Sequence, residues 1–185
     1  MPSDDFNRAN ETPLASPWLL STGSGGTANL VSNHVRAAAS GPDKFYYYSG
    51  AAVSTEQFSQ VTIGDSVMDG GPAVRISGVA GVGPSGYWVS CFNSVLNFLV
   101  NGSLSSEGAI GKTIADGDTV RLTAEGNELN VYVNGVLTPN SPFFDSSLPL
   151  AGQGVGFFYF EPLTGDFIDD FVGGDLGATL AWITA

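Results

Sequence analysis

Apolar and polar residues alternate most regularly over residues 118–138, DTVRLTAEGNELNVYVNGVLT. Val120, Leu122 and Ala124 fall on one face of an extended chain, and Arg121 and Thr123 on the other. After Gly126-Asn127 the period of two resumes. Leu129, Val131 and Val133 then oppose Asn130, Tyr132 and Asn134. Two β-rich runs joined by Gly-Asn predict a hairpin, because these residues accept the positive φ of a tight turn. Asn134-Gly135 predicts a second turn. A hairpin with one oily and one polar face needs a partner layer to cover the oily one.

The same pattern predicts further strands. Ala28–Val31 and 34–38 form a short hairpin about Ser32-Asn33, and Lys44–Tyr48 is an aromatic strand. Over Gln57–Ile63, Phe58, Gln60 and Thr62 oppose Ser59, Val61 and Ile63. Asp69-Gly70-Gly71-Pro72 is expected to break the chain before a strand at 73–79, and 78–86 to form a loop. Residues 87–92 and 95–100 are apolar on both faces, as central strands are. Residues 108–114 lead into the Asp116-Gly117-Asp118 turn, and 139–150 is expected as loop. Residues 155–160 form an aromatic core strand, and 167–172 the last strand, ended by Gly173-Gly174. No repeat of 20 to 50 residues is present, which excludes a solenoid or propeller. These elements predict an all-β, two-sheet antiparallel sandwich.

Length and composition fit that reading. A chain of 185 residues suits one domain, 1–185, with its core over about 4–176 and an apolar tail at 177–185. The formal net charge is −12, and the six basic residues Arg8, Arg36, Lys44, Arg75, Lys112 and Arg121 form no run. Phosphate neutralisation needs such a run, so nucleic-acid binding is not expected. An anionic membrane is disfavoured on the same ground. The opening MPSDDFNRANETP lacks the basic and apolar regions of a secretory signal, and no stretch is long enough to span a bilayer. Cys91 is the only cysteine and reads as a small buried hydrophobe; no base accompanies it except the single histidine, His34.

The opening Asp5-x-x-Arg8 with Phe6, the later Trp18, the VRLTAEGNELNVYVNGV hairpin, VGFFYF and Ile168-Asp169-Asp170-Phe171 together resemble the concanavalin A-like (laminin G-like) jelly-roll superfamily. The resemblance covers residues 4–176. It implies that the first and last strands lie side by side, with Asp4-Asp5-Phe6 against Asp169-Asp170-Phe171. It leaves function open among lectins, glycanases, adhesion modules and virion proteins.

Glycan-cleaving relatives hold paired carboxylates at strand spacing. The Glu-x-Asp-x-x-Glu pattern is absent, and Glu56, Glu107, Glu125, Glu128 and Glu161 have no such partner. No catalytic residue and no metal ligand is assigned. Calcium would draw on Asp65 with Asp69, Asp116 with Asp118, or Asp4 or Asp5 with Asp169 or Asp170, but none matches the twelve-residue calcium loop, and an Asp-Gly-Asp before a strand is ordinarily a turn. Sugars stack on exposed aromatic faces. Tyr46 and Tyr48 share a face with Lys44, and Trp88 alternates with Val89 and Cys91, so these three rings are the candidate glycan platform. Leu180, Trp182 and Ile183 in the tail are the candidate docking strip.

The sequence therefore predicts a non-enzymatic structural or interaction protein. The expected setting is a virion surface, as capsid decoration or tail appendage. Its expected partners are capsid or tail proteins, or further copies of itself, with glycans as additional ligands. The alternative is a lectin-like carbohydrate-binding module of a cell surface or secreted system, and a glycan-cleaving enzyme ranks third.

Overall fold

The computed structural model describes residues 1–21, 27–37, 44–50, 53–67, 69–79, 83–145, 151–160 and 168–178. The chain opens with β1 (Ser3–Asp4), β2 (Trp18–Leu20), β3 (Ala28–Val31), β4 (His34–Ala37) and β5 (Lys44–Tyr48). It continues with β6 (Gln57–Ile63), β7 (Asp69–Val79), β8 (Gly83–Ser90), β9 (Val95–Val100) and β10 (Ser103–Ala109). The predicted hairpin is β11 (Thr119–Glu125) and β12 (Glu128–Val133), followed by β13 (Val136–Leu137) and β14 (Phe143–Phe144). Two long strands, β15 (Gly154–Phe160) and β16 (Ile168–Asp175), complete the described fold.

These strands form two antiparallel sheets. A nine-stranded sheet runs β13-β12-β11-β6-β16-β4-β3, with β1 added to β16 and β14 to β12. A seven-stranded sheet runs β10-β9-β8-β7-β15-β5-β2. The apolar face of the hairpin (Val120, Leu122, Leu129, Val131) turns inward with Val61 and Ile63 of β6. Tyr87 and Val89 of β8 and Phe157 and Tyr159 of β15 meet it from the other sheet. Trp18 lies at the aromatic centre, with ring centroids 4.8 Å from Phe157 and 4.7 Å from Phe171. Tilted and edge-on contacts of this kind add to the gain from area burial. A second, smaller cluster of Phe45, Ala73, Ile76, Trp88, Leu99 and Phe158 sits on the opposite side of the seven-stranded sheet.

The first and last strands lie side by side as the resemblance implied, with Ser3 opposite Val172 and Asp4 opposite Phe171. Four local expectations are corrected. Asp69–Pro72 belongs to β7, because Gly70 marks close backbone approach rather than a turn: a Cβ there would lie 2.5 Å from the Phe158 carbonyl oxygen. The expected loop at 78–86 is shortened from both ends, by β7 to Val79 and by β8 from Gly83. Gly173 and Gly174 continue β16, paired with Ser59 and Phe58. Finally, β10 is a strand that the pattern of apolar positions does not predict. SLSSEGA is polar because it is an edge strand exposed along most of its length, so it carries no hydrophobic alternation. Among the described residues, no helix is long and apolar enough to cross a membrane.

Candidate functional site

The three rings expected to form a glycan platform do not form one. Tyr46 and Trp88 are each 2% exposed. Tyr46 turns into the inter-sheet core, where it stacks on Phe157 and its hydroxyl oxygen accepts the Ala28 N–H at 2.6 Å. Tyr48 shares that inward face and packs half-buried against Trp18 and Phe171. Trp88 does alternate away from Val89 and Cys91, but it stacks under Phe158 with centroids 3.9 Å apart. Strand periodicity gave the alternation correctly. It did not show that the seven-stranded sheet is covered on both faces. The tail residues Leu180, Trp182 and Ile183 lie outside the described residues.

A row of polar side chains crosses the outer face of the nine-stranded sheet. Arg121 on β11 stands directly between Tyr132 on β12 and Gln60 on β6. Directly paired residues in adjacent strands project to one side, so the three form a row across the sheet. The Arg121 guanidinium lies over the Phe58 ring, 4.2 Å from its centroid, and Phe58 itself is 2% exposed. Burial lowers the Arg121 pKa, partly offset by Tyr132. Its Nε is buried without a hydrogen-bond partner. Among the described residues Arg121 makes no ion pair, whereas Arg8 pairs with Asp4 and Glu11 and Arg75 approaches Glu56. The sequence showed this polar face of the hairpin; it could not show that the row is unpaired.

The joined termini build a different surface. A cleft of about 400 Å³ is lined by Ser3, Asp4, Asp5, Asp170, Phe171 and Val172. Asp4 is already committed: it accepts the Phe6 N–H at 2.8 Å, Arg8 Nη1 at 2.6 Å and Trp18 Nε1 at 2.7 Å. Burial raises the Asp169 pKa, Asp170 and Asp5 add repulsion, and His34 opposes them from 3.7 Å away. The other paired acids act as turn acceptors. Asp116 takes the Ser66 N–H, Asp65 the Val67 N–H, and Asp118 the Ala115 N–H and the Asn134 amide. Among the described residues no three His, Cys, Asp or Glu come together to hold a metal ion.

No protein-family model matches the chain, and no curated protein matches it in sequence. Solved structures do match. The carbohydrate-binding module CBM66 from Bacillus subtilis aligns over 86% of this chain and 92% of its own, at 20% identity and a TM-score of 0.57. An apo Crh5 transglycosylase aligns over 95% and 84%, at 7% identity and 0.53. A Bacillus licheniformis β-glucanase aligns over 92% and 94%, at 11% identity and 0.50. The fold is the concanavalin A-like jelly roll.

Within this jelly roll one pair of acids escaped the sequence reading. Asp145 is buried, accepts a hydrogen bond from the Tyr87 hydroxyl, and takes no part in any strand. Glu107 sits at the β10 bulge, where burial and the charge of Asp145 raise its pKa. The two are 38 positions apart in sequence, so no spacing rule could pair them. The Tyr87 hydroxyl thus ties Asp145, which directly follows β14, to β8 of the opposite sheet. On β8 the positions that alternate away from Tyr87 and Val89 are Gly86, Trp88 and Ser90, none of them an acid.

Proposed function

We propose that this protein is a non-catalytic carbohydrate-binding domain that presents the outer face of its nine-stranded sheet to glycans. The observation that carries the proposal is the row Tyr132–Arg121–Gln60, three adjacent side chains that make no hydrogen bond within the described protein. A sugar needs a ring face for its C–H surface and several donors and acceptors for its hydroxyls. Tyr132 supplies the first and Gln60 and Arg121 the second, with Asn130 two residues along β12 on the same face. Near full-length likeness to a carbohydrate-binding module supports the reading. The likeness to a β-glucanase is weaker, and the β8 face carries no paired acids. A virion role finds no support in the described residues or in the similar folds.

Affinity electrophoresis against a panel of neutral and acidic polysaccharides, run beside a reducing-end assay, tests the proposal. Retardation by at least one polysaccharide without release of reducing ends is expected. New reducing ends would make the protein an enzyme, and migration unaffected by every polysaccharide would overturn glycan binding.

A further inference from the structure

We infer that the Arg121 row is a carboxylate site, and that the glycan it takes is acidic, a chain containing uronate residues. The inference rests on the carbohydrate-binding reading and narrows it to one sugar class.

The first argument is electrostatic. The protein carries a formal charge of −12, with 18 acids against six bases. Acids are therefore plentiful, yet among the described residues none occupies a strand position beside Arg121. Its neighbours along β11 are Thr119 and Thr123, its direct partners are Tyr132 and Gln60, and its diagonal neighbours include Phe58, Thr62 and Asn130. The nearest glutamate on β12, Glu128, is engaged with the Asn130 amide at 2.7 Å. A half-buried cation without a counter-ion is costly, and a fold pairs such a charge unless something else pairs it.

The second argument is geometric. The planar guanidinium sits over the Phe58 ring, and Nε is buried against the protein. The terminal Nη groups are the donors left to face outward. Held in one plane, they match the two oxygens of a carboxylate, a fit that the point charge of lysine cannot reproduce. Partial desolvation is already built into the folded state, so an arriving anion displaces less water. Tyr132 and Gln60 on either side then meet the ring and hydroxyls to which the carboxylate is attached. A neutral sugar would leave this charge unmet, which makes the row selective as well as attractive.

Isothermal titration tests the inference with trisaccharides of galacturonate, mannuronate and guluronate, a hyaluronan tetrasaccharide, the methyl ester of the best-bound of these, and neutral trisaccharides of glucose and galactose. Wild type is compared with Arg121→Gln, which keeps the stem and removes the charge, and with Arg121→Lys, which keeps the charge and removes the fork. At least one uronate should bind, esterification should weaken it about tenfold or more, and Arg121→Gln should lose a similar factor while becoming indifferent to esterification. Arg121→Lys should fall in between. Circular dichroism and the thermal midpoint establish that each variant is folded. Should Arg121→Gln unfold, esterification of the ligand answers the same question on wild type alone. Equal binding of acid and ester, or binding of neutral sugars alone, would overturn the inference and leave the carbohydrate-binding reading intact. Binding of none of the sugars would count against both.

Discussion

Removing the Asp4 carboxylate should loosen the seam that joins the two ends of the fold. Its three hydrogen bonds go to the Phe6 N–H, Arg8 and the Trp18 indole. In Asp4→Ala the Trp18 Nε1–H is left in a site 2% exposed, and an unsatisfied buried donor costs about 1–3 kcal/mol. Phe6 adopts a left-handed φ of 51°, which a bulky residue takes only when its surroundings impose it, so loss of the bond to its amide adds about 1 kcal/mol. Arg8 keeps Glu11, and its pair with Asp4 is solvent-screened, so little is added there. The sum is about 2–4 kcal/mol. With an m-value of about 2 kcal/mol/M, urea unfolding should shift its midpoint down by about 1–2 M. A double-mutant cycle with Trp18→Phe should show coupling of about 1–3 kcal/mol, since the phenylalanine has no N–H to strand. A stability loss below about 0.5 kcal/mol, or strict additivity in the cycle, would refute the argument.

Three further outcomes follow from the packing. The raised Glu107 pKa means that the folded state holds this proton more tightly than the unfolded chain does. Its stabilisation is present below the ordinary carboxyl range and lost as pH rises through the raised folded value, so Glu107→Gln should gain stability at neutral pH and flatten that slope in urea titrations. Gly156→Ala would place a Cβ 1.9 Å from the Tyr46 carbonyl oxygen between β15 and β5; expression should yield little or no folded protein, and a native-like melting curve would contradict the close approach. Burial pushes the Cys91 thiol well above its ordinary range, so a thiol reagent should label it only as fast as the protein unfolds, and rapid labelling of the native state would place it at the surface.

Periodicity made much of the architecture legible, because a hairpin with one oily face has few ways to be buried. Gln57–Ile63 and Lys44–Tyr48 match their predicted bounds, and the adjacency of β1 and β16 follows the resemblance. Glycines misled where they mark contact instead of turns, as Gly70 and Gly173 do inside strands. The site was harder to read. Whether a ring such as Trp88 is exposed depends on what lies over the sheet, and alternation reports only which way a side chain points. Arg121 stood on the correctly predicted polar face, but its lack of a partner is a property of three strands from two separate stretches of chain. The pairing of Asp145 with Tyr87 likewise joins residues 58 positions apart.

The most direct test of the central claim is an amide chemical-shift map of the labelled protein titrated with the best-retained oligosaccharide. Perturbations concentrated on β6, β11 and β12, centred on Gln60, Arg121 and Tyr132, are the predicted result. Perturbations confined to the β1–β16 cleft or to the seven-stranded sheet would contradict it.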